Sequence, residues 1–140
     1  MTEQMVEQTL VIIKPDGVEK RLIGEVVKRY ETAGLRMVIM KMTILSGGFV
    51  ESFYAEHRGK AFFQDLCGFM TSGPVVIMVL EGKDCIETVR AINGMTDSNA
   101  AGAGTIRGDF GDRTVIRRNV VHASDSAESA RREIKLCFNC

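Results

Sequence analysis

The stretch Arg117 to Ile134, RRNVVHASDSAESARREI, holds one of only two histidines in the chain. His122 follows the run Asn119-Val120-Val121 and precedes a helix-start pattern, Ser124-Asp125-Ser126 with Glu128 three residues after Asp125. Ala127, Ala130 and Ile134 then recur at helical spacing, and Glu128 with Arg132 makes a favourable i,i+4 pair. This spacing puts the imidazole beside a helix N-terminus, whose unpaired N–H groups and partial positive charge suit an anion. A neutral histidine beside an anion is a nucleophile toward phosphorus. A histidine that only caps or packs fits the same residues.

The remaining candidates are cations at element ends: Lys14 after an apolar run, Arg90 beside the apolar stripe of a helix, and Arg107 in a glycine-rich loop. Singly, each fits a solvated surface charge. Together with Thr96 and His122 they could hold a polyphosphate through charge-assisted hydrogen bonds. Familiar phosphate motifs fail: Gly59-Lys60-Ala61 lacks the upstream glycine and final Ser/Thr of a P-loop, and Gly102 and Gly104 do not continue into G-x-G-x-x-G. Arg107-Gly108-Asp109 spells an adhesion tripeptide, discounted because no signal peptide precedes it.

The chain has 140 residues, which suits a single domain over 1–140 with a core that needs no staples. Lys plus Arg and Asp plus Glu both number 18, so zero net charge argues against nucleic acid as a primary ligand and against an anionic membrane. No apolar run approaches a membrane span, and the expected location is the cytoplasm. Cys67 and Cys85 read as small core residues, while Cys137 and Cys140 form a C-x-x-C that follows a helix and lacks two further zinc ligands. An exposed Cys140 would be open to oxidation.

The elements that must position these groups follow in order. Residues 9–13 read as a strand buried on both faces, Pro15-Asp16-Gly17 as a turn, and Ile23 to Tyr30 as a helix ended by Gly34. Met37–Leu45 is a second strand; Phe49–Tyr54 and Phe62–Met70 are short helices; Val75–Leu80 is a third strand. Asp84 with Glu87 starts a helix that Gly94 ends. Residues 95–118 lack periodicity, and so long a loop is usually functional. Val120-Val121 form a fourth strand before the last helix. This order predicts an α+β ferredoxin-like sandwich: a four-stranded antiparallel sheet with helices packed on one side.

The stretches IIKPDGV at 12–18, FYAEHRGKAFF at 53–63, FMTSGPVV at 69–76, GTIRGDF at 104–110 and NVVHASDS at 119–126 together resemble the nucleoside diphosphate kinase family over nearly the whole chain. The resemblance implies ping-pong transfer of a γ-phosphoryl group from a nucleoside triphosphate to a nucleoside diphosphate through a phosphohistidine on His122. It implies that Glu133 fixes the tautomer of His122 and that Ser124 supports the site near the phosphorylated nitrogen. Lys14, Arg90, Arg107 and Thr96 would hold phosphates, with magnesium entering on the nucleotide. Tyr54 would lie beside the histidine, Phe62 would stack on the base without reading its edge, and Asn119 and Lys14 would reach the sugar hydroxyls. A homo-oligomer, tetramer or hexamer, built from a common dimer is also implied, the short C-terminus after Phe138 leaning toward the tetramer. The chain departs from the family pattern at Ala123, where glycine is common, and at Ala61, Ser98 and Ala103, where prolines are common. Lys60 stands at a usual arginine, and the 111–118 segment is longer than the pattern. A binding module that had lost turnover is the rival reading; the intact set of polar site residues argues against it.

Overall fold

In the computed structural model, which describes residues 6–138, four strands form one antiparallel sheet of order β2-β3-β1-β4. The strands are β1 (Val6–Ile13), β2 (Arg36–Thr43), β3 (Val75–Lys83) and β4 (Val121–Ala123). Seven helices intervene among the described residues: α1 (Pro15–Glu19), α2 (Ile23–Thr32), α3 (Gly47–Phe53), α4 (Phe63–Met70), α5 (Cys85–Asn93), α6 (Ile106–Phe110) and α7 (Ala127–Phe138). A single 3-10 turn covers Ala55–His57. This is the ferredoxin-like α+β arrangement, with one correction. The helices cover both faces of the sheet, not one.

Strand alternation explains why. On β1, Leu10 and Ile12 point into a core shared with α3, α4 and α7, whereas Val11 and Ile13 point into a second core shared with α2, α5 and α6. On β3, Val75, Ile77 and Val79 take the first side, and Val76, Met78 and Leu80 the second. All four β1 residues are fully buried, each worth about 1.5–3 kcal/mol on side-chain burial. An unbroken apolar run is what a strand covered on both faces requires.

Other local expectations shift. Pro15-Asp16-Gly17 opens helix α1 with Pro at its first position, because the fixed proline φ suits that place as well as a turn. Asp84 lies before α5 but at φ 50 with no side-chain cap; the Ile86 N–H donates to Glu7 Oε1 at 2.9 Å instead. For α7 the capping oxygen is Ser126 Oγ, which accepts from Ser129 N at 3.1 Å, so the Asp125–Glu128 box does not form. The 95–118 segment contains helix α6, capped by Thr105 Oγ1 on Gly108 N. Cys67, Cys85 and Cys137 are buried free thiols, and Cys140 lies outside the described residues.

Ser98 sits second in the turn Asp97–Ala100, closed by Ala100 N to Asp97 O at 2.9 Å. Its side chain is buried, with Oγ lacking a partner among the described residues. The second position of such turns favours proline. Ser98→Pro should therefore stabilise the chain by about 0.4–1 kcal/mol through the unfolded state. The check is a thermal melt, with a rise on the order of 1–4 °C expected. A fall would mean that Ser98 needs a φ or an N–H bond that proline denies.

Candidate active site

His122 stands in the middle of β4, paired with Ile12 across the sheet. Its Nε2 lies 2.8 Å from Glu133 Oε1 on α7, and Ser124 Oγ donates to the same oxygen at 3.0 Å while accepting from Leu10 N at 3.3 Å. A carboxylate only accepts, so Nε2 carries the hydrogen and Nδ1 keeps its lone pair. Phe53 and Tyr54 meet the imidazole edge-on, at ring centroid distances of 5.1 and 5.9 Å. The ring is thus held by one hydrogen bond and two aromatic edges, with Nδ1 free of the contact to Glu133. The contact with α7 is to its interior at Glu133, not to its N-terminus. Ser124 meets the imidazole through Glu133, on the Nε2 side of the ring and not the Nδ1 side.

Every expected site residue except Ser124 lines one cleft of about 850 Å³, within the range of small-molecule sites. Lys14 follows β1 and is buried, its Nζ donating to Asn119 Oδ1 at 2.8 Å and to Arg117 O at 3.3 Å. Burial draws its pKa down to about 7; the Arg107 charge acts in the same direction and Asp16 opposes. Asn119 Nδ2 in turn donates to Thr96 O at 2.9 Å, tying Lys14 to the loop after α5. Arg107 lies on α6 rather than in irregular loop. Its guanidinium donates to Gly94 O at 2.8 Å and to Val121 O at 2.7 Å, and burial pulls its pKa down to about 10. Arg90, in the last turn of α5, is exposed on the cleft wall. Phe62 offers a half-exposed ring, and the Tyr54 hydroxyl is buried without a partner among the described residues.

The sequence reading passed over some residues. His57, the second histidine, assigned no role from the sequence, lines the same cleft, stacking on Tyr54 at 6.0 Å and lying 5.3 Å from Phe62. Its i+3 spacing from Tyr54 was the available clue. Lys60 Nζ lies 3.1 Å from His57 Nδ1 and 5.7 Å from the Phe62 ring centroid. Phe53, expected only as part of the short helix over Phe49–Tyr54, is also an imidazole contact. The long 111–118 segment closes on itself, with Asp112 Oδ1 accepting from Thr114 N and Val115 N, and presents Val115, Ile116 and Arg117 to the cleft.

A sequence model of the family described as nucleoside diphosphate kinase matches residues 7–140. A nucleoside diphosphate kinase from Anaeromyxobacter sp. (strain Fw109-5) is 55% identical over 132 residues, covering 94% of this chain and 89% of its own. One from Methanosarcina barkeri is 52% identical, covering 94% and 87%. Among solved structures, a halophilic nucleoside diphosphate kinase from Halobacterium salinarum in complex with CDP superposes with TM-score 0.93 at 44% identity, covering 97% of this chain and 90% of that one. The Aquifex aeolicus enzyme gives TM-score 0.90 at 43% identity, covering 96% of each chain.

Proposed function

The chain belongs to the nucleoside diphosphate kinase family, and on that premise we propose that it moves a γ-phosphoryl group between nucleotides through His122. The observation that carries this reading is the imidazole itself: Nε2 held on buried Glu133, Nδ1 left with its lone pair, in a cleft that also gathers Lys14, Arg90 and Arg107. In the first half-reaction Nδ1 attacks the γ-phosphorus of a nucleoside triphosphate. The N–P bond forms, the bond to the bridging β-oxygen breaks, and that oxygen leaves with its electron pair on the diphosphate. Glu133 stabilises the positive charge that develops on the ring. In the second half-reaction the terminal oxygen of an acceptor diphosphate attacks the same phosphorus and frees Nδ1.

Lys14, Arg90, Arg107 and Thr96 hold the phosphates, Phe62 stacks on the base, Asn119 and Lys14 serve the sugar hydroxyls, and the Tyr54 hydroxyl stands by the transferring group. Stacking accepts any base, because every base has a π-face. Ser124 acts through Glu133. Magnesium fits as an ion carried on phosphate oxygens: the cleft's carboxylates besides Glu133 are the exposed Glu56 and Asp125, and the described residues form no group of three metal-ligating side chains. Bound there, it neutralises phosphate charge. Residues 1–140 serve as one catalytic unit, and no helix among the described residues is long and apolar enough to cross a membrane, which suits a cytoplasmic place. Edge strand β2 exposes Val38, Ile39, Met40 and Met42, which supports a homo-oligomer.

Incubation with ATP and magnesium, without acceptor, followed by intact-mass measurement tests the reading. One phosphoryl group per subunit is expected, acid-labile and base-stable as a phosphoramidate is, and discharged by any nucleoside diphosphate. An unmodified mass, or a base-labile ester, would sink it.

Lys14 gives a further expected result. At about pH 8 the free chain holds it largely neutral, and phosphate anions raise its pKa, so nucleotide binding should take up close to one proton. Calorimetry in buffers of different ionisation enthalpy reads this directly, and Lys14→Met should abolish the uptake. In the free chain the sign is the usual one for a depressed lysine. The unfolded chain binds more protons between about 7 and the ordinary 10.5, so this group's contribution to stability rises with pH across that window.

A further inference from the structure

Val120, two residues before His122, has φ 74, a backbone conformation that β-branched residues rarely adopt. Val121 N donates to Asn119 O at 2.9 Å across it, which makes Val120 the centre of a γ-turn of the strained, positive-φ kind. Such strain persists only where the surroundings over-determine it.

The surroundings here are the four residues that follow β1. The Lys14 N–H donates to Val120 O at 2.8 Å. Val120 N donates to Asp16 Oδ2 at 3.0 Å. Gly17 lies so close that a Cβ there would sit 3.0 Å from Val120 Cγ1 and 3.1 Å from Val120 O. Asp16 is fully buried and its Oδ1 has no partner among the described residues. A buried carboxylate kept at such a cost, and given no part in the proposed chemistry, needs another use. The turn it touches sets three site groups. Asn119, on one side, binds Lys14 Nζ; Val121, on the other, gives its carbonyl to Arg107; His122 comes next.

We propose that Lys14-Pro15-Asp16-Gly17 is a clamp that fixes the γ-turn at Val120, and that Asp16 is a positioning residue for His122. The proposal rests on His122 being the phosphorylated residue. The clamp's work is to keep a backbone that would otherwise relax to negative φ, and a relaxed turn would swing Asn119 and His122 out of register with Lys14 and Glu133.

Single-turnover phosphorylation by ATP, alongside nucleotide binding, tests it. Asp16→Ala should slow the charging of His122 by about a hundredfold, the cost of misplacing a reacting group by roughly 1 Å. The nucleotide dissociation constant should change by less than about tenfold, a split that loss of bulk stability does not produce. In a Val120→Gly background the same change should cost about tenfold less, because glycine takes positive φ without strain. If Asp16→Ala alone does not fold, the doubly substituted chain should fold and be charged. Charging of Asp16→Ala at the wild-type rate, an equal loss in both backgrounds, or failure of the doubly substituted chain to fold would overturn the clamp. A wild-type chain that takes up no phosphoryl group would instead overturn the function of His122, and the coupling of Asp16 to Val120 would then be read in melting temperatures alone.

Discussion

Replacing His122 with alanine should give a protein that binds nucleoside triphosphate and takes up no phosphoryl group. Turnover should fall on the order of a millionfold, the scale seen when a covalent catalytic unit is dismantled. Binding should persist because it rests on Lys14, Phe62, Arg90 and Arg107, which line the cleft independently of the imidazole. The fold should persist as well. Glu133 would lose one of its two donors and keep Ser124 Oγ, at a cost of about 1–3 kcal/mol for the unmade bond. His122→Gln separates the two effects, because its amide can donate to Glu133 yet cannot attack phosphorus. Both variants should stay unmodified by intact mass after ATP and magnesium, while His57→Ala should be charged. His57 shares the cleft, so it is the proper control. An adduct that survives in His122→Ala, located on His57 or Ser124 by fragmentation, would falsify the mechanism.

What could be read ahead of the structure followed period and punctuation. The β1 run announced a strand covered twice over, and Gly34 and Gly94, at φ 89 and 86, mark the helix ends where they were expected. The two-sided cover was legible in principle: Leu10-Val11-Ile12-Ile13 has no polar face, so helices on one side alone could not bury it. What stayed hidden depends on contacts between distant segments. Nothing in Asn119-Val120-Val121 signals a γ-turn, because valine ordinarily avoids positive φ. The groups that meet it, Lys14 N–H, the Asp16 carboxylate and Gly17, come from the other end of the chain, Asp16 being 104 residues away. Asp84 shows the converse, a sequence cap overridden when Glu7 from β1 took the N–H of Ile86. Lys14, Arg90, Thr96, Arg107 and His122 stood out by residue type and place, whereas the roles of Tyr54, Phe62, Asn119, Ser124 and Glu133 came with the family resemblance. Their spacing along the chain, from Lys14 to Glu133, carries no local pattern, since separate elements bring them into one cleft: the end of β1 for Lys14, α5 for Arg90, α6 for Arg107, β4 for His122 and α7 for Glu133.

Arg107→Ala should lose far more activity than Arg118→Ala. The Arg107 guanidinium forks between Gly94 O, at the end of α5, and Val121 O, beside His122. It therefore brings positive charge to the cleft and also fixes the distance between the loop after α5 and the nucleophile strand. Alanine removes a charge-assisted donor worth about 1.5–3 kcal/mol toward phosphate and leaves two carbonyls unpaired. A fall in kcat/KM of a hundredfold or more is expected, on the order of 3 kcal/mol in transition-state stabilisation. Arg107→Lys should recover only part of it, since an ammonium cannot reproduce the planar fork. Arg118, next to Asn119, makes looser contacts: 3.8 Å to Glu19, 4.0 Å to Asp112, and 5.3 Å from the Phe69 ring centroid. Pairs of that kind contribute about 0–1 kcal/mol and are screened by salt, so Arg118→Ala should stay within about fivefold of wild type. Initial-rate kinetics on both variants, with melting curves to verify folding, decide the matter. Equal losses in two folded proteins would mean that the cation facing the transferred phosphoryl group is not Arg107.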